Sequence, residues 1–359
     1  MMQPLHIMIM AGGTGGHIFP ALAVADVLRG QGHRITWLGT RSGMEARLVT
    51  QAGYPMQYIR VQGLRGNGLV RWILAPYKLL RALLQALRVI HQLRPNVVLG
   101  MGGFASGPGG LAAWLMRRPL VIHEQNAAPG LTNRLLARLA TSVLEAFPRS
   151  LPNAHLTGNP VRESITELAL PAERFAQRQD DMRILILGGS QGAMVLNQTI
   201  PLALAIISEQ QPLQVRHQCG ERHLEVTRKM YVAANLNASV TAFIDDMAEA
   251  YAWADLVICR AGALTIAELT AAGVASLLVP FPYAVDDHQT KNALWLIDHN
   301  AAMLMPQSQC SVEAVVDSLQ RLFNSGRATL LAMAMKAREL AKPEASRNVA
   351  DLCLEVARV

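Results

Sequence analysis

The sequence predicts an α/β chain built as two Rossmann-like, doubly wound domains, and three observations carry that prediction. Short apolar runs alternate with helically spaced segments over the 359 residues, glycine clusters stand where strands give way to helices, and the plan of the first half recurs in the second. With 51% hydrophobic residues, the chain has enough apolar surface for two cores rather than one.

The first element is "HIMIMAGGTGGH", a buried strand that breaks into a glycine turn, with a helix opening at about Phe19. "RITWLG", "NVVLGM", "PLVIHEQ" and "TSVLEAF" follow as further apolar strands, most of them separated by helical patterns, as in βαβ units with a parallel sheet. The halves join near "LTGNPVRES". "RILILGGSQGAMVLNQTIPLALAII" then repeats the opening plan of strand, two glycines, a hydroxyl residue, one more residue, glycine and helix. "LQVRHQC", "LVICRAG" and "ASLLVPF" supply later strands. We expect domains over residues 1–161 and 162–340, which leaves residues 341–359 as a C-terminal segment. Ligands of such sheets lie beyond the carboxyl ends of the strands, so the expected site is a cleft between the domains.

Composition narrows the classes. The opening "MMQPLHIMIMAGG" lacks a basic leader and reads as a first core strand, not a signal peptide. Residues 95–116 carry no charge, but "GMGGFASGPGG" interrupts them, which argues against a spanning helix. Cys219, Cys259, Cys310 and Cys353 form no CxxC pair and no metal spacing, as reduced thiols of a cytosolic protein would. The chain is thus expected to be soluble, or at most to sit on a membrane surface. Up to Val161 there are 16 Lys and Arg against 4 Asp and Glu, and beyond it 17 against 22. Between Glu45 and Glu124 ten basic residues occur and no acid. A basic face is often only a solvated one, yet so long a window without acid favours an anionic partner for the first half.

The glycines suggest what is bound. A strand turning directly into a helix exposes unpaired amides at the positive end of the helix dipole, which together attract phosphate. The dinucleotide fingerprint is absent, because Ile18 stands where its third glycine belongs and "RITWLGT" does not end in an acid. No GxxxxGK[ST] occurs, so an ordinary ATPase loop is excluded. Turns alone would explain one glycine loop; three at strand ends (12–16, 100–110 and 188–192) fit phosphate better. A fourth junction, "LVICRAGALTIAELTAAG", has two readings. Thr265 and Glu268 have the T-x-x-E spacing of a capping box, which would make Glu268 structural. Alternatively Arg260 and the amides of Ala263, Leu264 and Thr265 hold a diphosphate while Glu268 accepts from ribose hydroxyls.

Taken in order, "GGTGGHIFPALA", "GGFASGPGGLAAW", "HEQNAAPGLTNR", "TGNPVRE", "GGSQGA", "FIDDMAEAYAWADLVICRAGALTIAEL" and "DDHQTKNA" resemble the MurG family of bacterial glycosyltransferases over essentially the whole chain. The resemblance implies a GT-B type fold, two Rossmann-like domains facing across a cleft, with "KPEASRNVADLCLEVARV" as a helix returning to the first domain. It implies transfer of N-acetylglucosamine from UDP-N-acetylglucosamine to lipid I, giving lipid II for peptidoglycan. It also implies the residues. Ile244 would meet the uracil and Glu268 the ribose; Ser190, Ala263, Leu264 and Thr265, with Ile266 and Ala267 beside them, would surround the diphosphate near Arg162 and Arg260. Gln289 and Asn292 would hold sugar hydroxyls, and Thr14, Gly15, Gly16 and Asn126 would close over donor and acceptor. Phe104 stands where the family commonly has tyrosine, so no phenol hydroxyl acts there. The implied location is the cytoplasmic face of the bacterial inner membrane. The implied partners are anionic phospholipid and other cell-wall synthesis and division proteins, with no nucleic acid and no cofactor.

No DxD occurs, so a divalent metal on the diphosphate is not indicated, and amides and arginine are left to stabilise departing UDP. Histidine is the residue type most often used as a general base near neutral pH, which makes His17, just after the glycine turn, the candidate base for the attacking C4 hydroxyl; its bland alternative is a ring that bonds the loop backbone. In-line attack would invert the α-linked donor to a β-1,4 product. Two other classes fit parts of the pattern: a UDP-N-acetylglucosamine 2-epimerase of the same architecture, and a non-catalytic membrane-recruitment subunit. Finally, "VRWILAPYKLLRALLQALRVIHQLRP" sets Lys78, Arg81 and Arg88 on one helical stripe, with Ile73, Leu80 and Leu83 among them and Trp114 nearby in sequence. We expect it to contact the membrane, although part of such a helix must pack on its own sheet.

Overall fold

The computed structural model describes residues 3–61, 75–176, 178–189 and 192–358. They form two units, Met1–Arg162 with Pro343–Val359, and Glu163–Lys342. Arg162, expected to open the second domain, therefore belongs to the first unit. Ser190 and Ile73 lie outside the described residues.

The first unit is built on β1 (His6–Met10), β2 (Arg34–Gly39), β3 (Met56–Tyr58), β4 (Val97–Gly100), β5 (Leu120–Glu124), β6 (Ser142–Glu145) and β7 (His155–Leu156). All pair in parallel, in the order β3-β2-β1-β4-β5-β6-β7. β1 is central: Ile7 pairs with Ile35 on one side and Val97 on the other. Its five residues are all buried, since helices cover both faces and a two-sided strand has no polar side to offer. Ile7 and Ile9 share one core with Val24 and Leu28 of the helix Gly15–Gly30 and with Val349 and Cys353 of the helix Ala345–Val356. Met8 and Met10 point the other way, into a core with Ala86 and Ile90 of the helix Ala75–Leu93 and Ala112 of the helix Ser106–Leu115.

The second unit repeats the scheme with β8 (Met182–Leu187), β9 (Leu213–Gln218), β10 (Ser239–Thr241), β11 (Leu256–Cys259), β12 (Ala275–Leu278) and β13 (Met303–Leu304), in the order β10-β9-β8-β11-β12-β13. In each sheet the winding reverses beside the first strand, between β1 and β4 and between β8 and β11. That reversal opens a crevice at the carboxyl ends of those strands. Both crevices are edged by glycine turns.

Candidate active site

In the first unit the crevice is lined by three loops. After β1 the chain turns through Gly12 and Gly13 into the helix Gly15–Gly30, whose N-cap Thr14 makes no side-chain capping bond. The turn is held from below by Glu45, a carboxylate only 1% exposed. It accepts from the Gly13 amide at 3.1 Å, the Thr40 amide at 3.0 Å and the Thr40 hydroxyl at 2.6 Å. The loop after β4 lies against this turn at Gly102 and Gly103, with φ of +93° and +90°. A Cβ at Gly103 would stand 2.5 Å from the Gly12 carbonyl oxygen, and one at Gly102 would stand 2.7 Å from His17 Nδ1. Only glycine allows both that backbone and that approach.

The motif "HEQN" spans the end of β5, with His123 and Glu124 as its last residues and Gln125 and Asn126 opening the loop that follows. His17, half-buried in the first turn of its helix, has Nδ1 2.9 Å from Gln125 Oε1. Gln125 Nε2 in turn lies 3.2 Å from both His123 Nδ1 and the His123 carbonyl oxygen, and His123 Nε2 is 2.9 Å from the Gly158 carbonyl. His123 is fully buried, and burial pushes its pKa down to about 4, so the ring is neutral. Glu124, also buried, accepts from the Asn126 amide and side chain, the Gly130 amide and Asn133 Nδ2 at 2.8–3.3 Å. Its acceptor sites are committed to the loop, which it anchors. The expected donor residue Asn126 is half-buried beside it. The Arg162 guanidinium lies 5.5 Å above the Phe19 ring. Phe104 is exposed.

In the second unit the loop after β8 passes through Gly189 and Gly192, again with positive φ. Gln218 holds it: Oε1 accepts from the Gly189 amide at 3.0 Å, and Nε2 donates to the Gly189 and Ala242 carbonyls at 3.0 and 2.9 Å. One amide thus ties the glycine loop to the exit of β10, two residues before half-exposed Ile244.

After β11 the helix Ala263–Ala272 begins with Gly262 as N-cap, which has no side chain to bond the first amides. Thr265 is therefore the third helical residue and Glu268 the sixth, so the capping-box spacing is not used as a cap. Glu268 is 6% exposed and its Oε2 accepts from the Tyr251 hydroxyl at 3.0 Å. Ile266 is fully buried, so only its backbone can reach a ligand; Ala267 is half-exposed. Arg260 donates to the Val279 and Pro280 carbonyls at 3.0 and 3.3 Å and lies 5.4 Å above Phe281, and burial draws its pKa below the ordinary guanidinium value. Gln289 Oε1 accepts from the Phe281 amide at 2.9 Å. Asn292 corrects the expectation for it: it is 0% exposed and donates to the Ala261 carbonyl at 3.2 Å. It shapes the turn before the helix and cannot present its amide to a sugar.

Away from the crevice, the helix Ala75–Leu93 exposes Tyr77, Leu79, Leu80 and Leu84, with Lys78 and Arg88 also exposed and Arg81 half-buried. Trp114 is exposed on the helix Ser106–Leu115 that packs beside it. Leu83 departs from the expected membrane set, because it packs against the unit's own core. Among the described residues, no helix is long and apolar enough to cross a membrane. Nor does any group of three His, Cys, Asp or Glu among them offer a metal site.

Gln125, His123, Glu45, Gln218 and Tyr251 were not among the residues expected from sequence. Each has at least one partner distant along the chain, and only the positions of His123 and Gln125 inside "HEQN" could have drawn attention to them.

Residues 7–145 match the glycosyltransferase family 28 N-terminal domain and residues 183–349 its C-terminal domain. The UDP-N-acetylglucosamine--N-acetylmuramyl-(pentapeptide) pyrophosphoryl-undecaprenol N-acetylglucosamine transferase of Nitrosococcus oceani is 55% identical over 98% of this chain and 99% of its own length. The protein of the same name from Dechloromonas aromatica is 53% identical over 98% and 99%. Among solved structures, MurG of Acinetobacter baumannii superposes with a TM-score of 0.85 at 46% identity, covering 98% of this chain and all of that one.

Proposed function

The chain belongs to glycosyltransferase family 28, and on that premise we propose that it is the inverting transferase of lipid II formation. It moves N-acetylglucosamine from UDP-N-acetylglucosamine to the C4 hydroxyl of N-acetylmuramic acid in lipid I. The observation that carries the donor site is the start of the helix Ala263–Ala272. Its amides have a glycine for a cap, Arg260 precedes them, and the Glu268 carboxylate follows with Tyr251 fixing one oxygen.

The roles follow from that chemistry. The amides of Ala263, Leu264 and Thr265, with Arg260, hold the diphosphate and stabilise the charge that grows on UDP as its bond to C1 breaks. Glu268 accepts from the ribose hydroxyls, the backbone at Ile244 meets the uracil, and Gln289 meets the sugar through its amide nitrogen. From the first unit, Thr14, Gly15, Gly16 and Asn126 contact the sugars. His17 takes the proton from the C4 hydroxyl as that oxygen attacks C1, and UDP departs with the bonding pair. The exposed apolar residues of the helix Ala75–Leu93 and Trp114, with Lys78, Arg81 and Arg88, seat the protein on the anionic cytoplasmic leaflet, where a polyprenyl acceptor must be met.

Incubation with radiolabelled UDP-N-acetylglucosamine, with and without lipid I, tests this reading. Label should enter a lipid-extractable product only when lipid I is present. Epimerised UDP-sugar without acceptor would favour the 2-epimerase, and no turnover in either case would favour a recruitment subunit.

A further inference from the structure

We propose that Gln125, itself oriented by His123, is a positioning residue that fixes His17 as its Nδ1–H tautomer and so leaves the lone pair on Nε2. The catalytic consequence rests on the reading of His17 as general base; the tautomer itself does not.

Two backbone carbonyls determine every proton in the chain. The Gly158 carbonyl can only accept, so His123 Nε2 must carry the hydrogen that spans their 2.9 Å. With the ring neutral in its buried site, His123 Nδ1 is then an acceptor. The end of Gln125 that faces it also faces the His123 carbonyl oxygen, both at 3.2 Å. Two acceptors require a donor, so that end is the NH2, and the amide oxygen must be the end 2.9 Å from His17 Nδ1. An oxygen accepts only, hence His17 Nδ1 bears the proton. The amide has no freedom to flip, because a flip would set its oxygen against two lone pairs and its NH2 against the His17 ring nitrogen.

The consequence is specific to one atom. A neutral imidazole can hold its proton on either nitrogen, and only the tautomer with a bare Nε2 can take a proton there. Gly102 closes the other side of Nδ1, since a Cβ at that position would lie 2.7 Å from it. The ring is therefore held both in orientation and in protonation pattern before substrate arrives. The partner is an amide and not a carboxylate, so the device selects a tautomer without placing a negative charge under the ring. After proton transfer, the imidazolium keeps its Nδ1–H on Gln125 Oε1, and nothing else in the chain has to move.

Long-range proton–nitrogen correlation spectra of protein labelled with ¹⁵N at histidine read the tautomer directly, with the His17 ring assigned from its loss in His17→Ala. In the intact protein, above the pH at which the ring titrates, His17 should show a protonated Nδ1 and an unprotonated Nε2. Gln125→Leu should give a mixture of tautomers. Its kcat should fall about 10- to 100-fold, as loss of a supporting partner does elsewhere, with the KM for UDP-N-acetylglucosamine unchanged. Gln125→Glu should restore the Nδ1–H signature, since either protonation state of that side chain still offers His17 an acceptor oxygen. A protonated Nε2 in the intact protein, or an unaltered tautomer in Gln125→Leu, would overturn the proposal. A fully active His17→Ala variant alongside a clean Nδ1–H signature would instead remove the base reading and leave the tautomer assignment standing.

Discussion

Replacing Glu45 with glutamine removes one oxygen and introduces one NH2 in a site that contains only donors around the carboxylate. One oxygen faces the Thr40 amide and hydroxyl, and the other faces the Gly13 amide. The new amide does best by keeping its oxygen on Thr40, where it satisfies two donors. Its NH2 then opposes the Gly13 N–H, so the damage falls on the glycine turn. A hydrogen bond to a charged acceptor contributes about 1.5–3 kcal/mol, and stranding a donor at a part-buried amide costs about 1 kcal/mol or more. A loss of about 2–4 kcal/mol is therefore expected. In a unit of this size each kcal/mol lowers the Tm by about 2–4 °C, so the first unit should melt roughly 4–16 °C lower. The turn also sets the start of the helix that carries His17, and a misplacement of about 1 Å at a reacting group can cost about 100-fold in rate. Calorimetry together with steady-state kinetics should show a lower first transition and a reduced kcat, while the KM for UDP-N-acetylglucosamine stays near its original value. A Glu45→Gln protein with unchanged melting and unchanged kcat would refute the reasoning.

Glu268→Gln should weaken UDP binding in titration calorimetry by more than it lowers the Tm, because a carboxylate that accepts two ribose hydroxyls has no equivalent in an amide; unaltered affinity would return Glu268 to a structural role. Replacing Lys78, Arg81 and Arg88 together with glutamate should abolish sedimentation with anionic vesicles and spare UDP affinity. Binding of the intact protein should weaken with salt, since the Debye length falls to about 3 Å at 1 M; equal binding to neutral vesicles would dismiss the membrane reading. Burial lowers the pKa of His123 to about 4 and of His217 to about 3, from an ordinary value of 6.5. The unfolded chain binds those protons first, so their contribution is complete above about pH 6.5. It is lost as pH falls through about 4 and then 3, at about 1.4 kcal/mol per pH unit for each group. Denaturant titrations between pH 7 and 4 should show that decline, and a flat profile would mean that the rings protonate in the folded state.

Much of the fold was legible because its central strands are continuous apolar runs. "RITWLG", "NVVLGM", "PLVIHEQ" and "LVICRAG" contain β2, β4, β5 and β11. The strands without a sequence signal were the short edge pairings β3, β7, β10 and β13, two or three residues each, whose residues are largely half-exposed or exposed. Such strands are defined by a neighbour's backbone, not by their own side chains. The candidate site drew attention where chemistry sits on a strand-to-helix junction, as with His17, Arg260 and Glu268, whose roles are proposed above. It was misread at Asn292, because spacing along a helix says which residues share a face but not what lies behind that face. The carbonyl behind Asn292 belongs to Ala261, 31 positions away. The support of His17 was invisible for the same reason, since Gln125 is 108 positions distant.

The helix Ala345–Val356 closes the core around Ile7, Val24 and Leu28 from a position in sequence beyond the whole of the second unit. On a ribosome the continuous stretch Glu163–Lys342 emerges before those twelve helical residues do, so the later unit can finish folding while the earlier one still lacks a wall of its core. Synthesis order and folding order are thus inverted, against the usual progression from the N-terminus. A protein truncated after Lys342 should therefore carry a protease-resistant second unit and a cleavable first one, and the apolar surface left open on β1 and its helix is a surface for chaperones to hold.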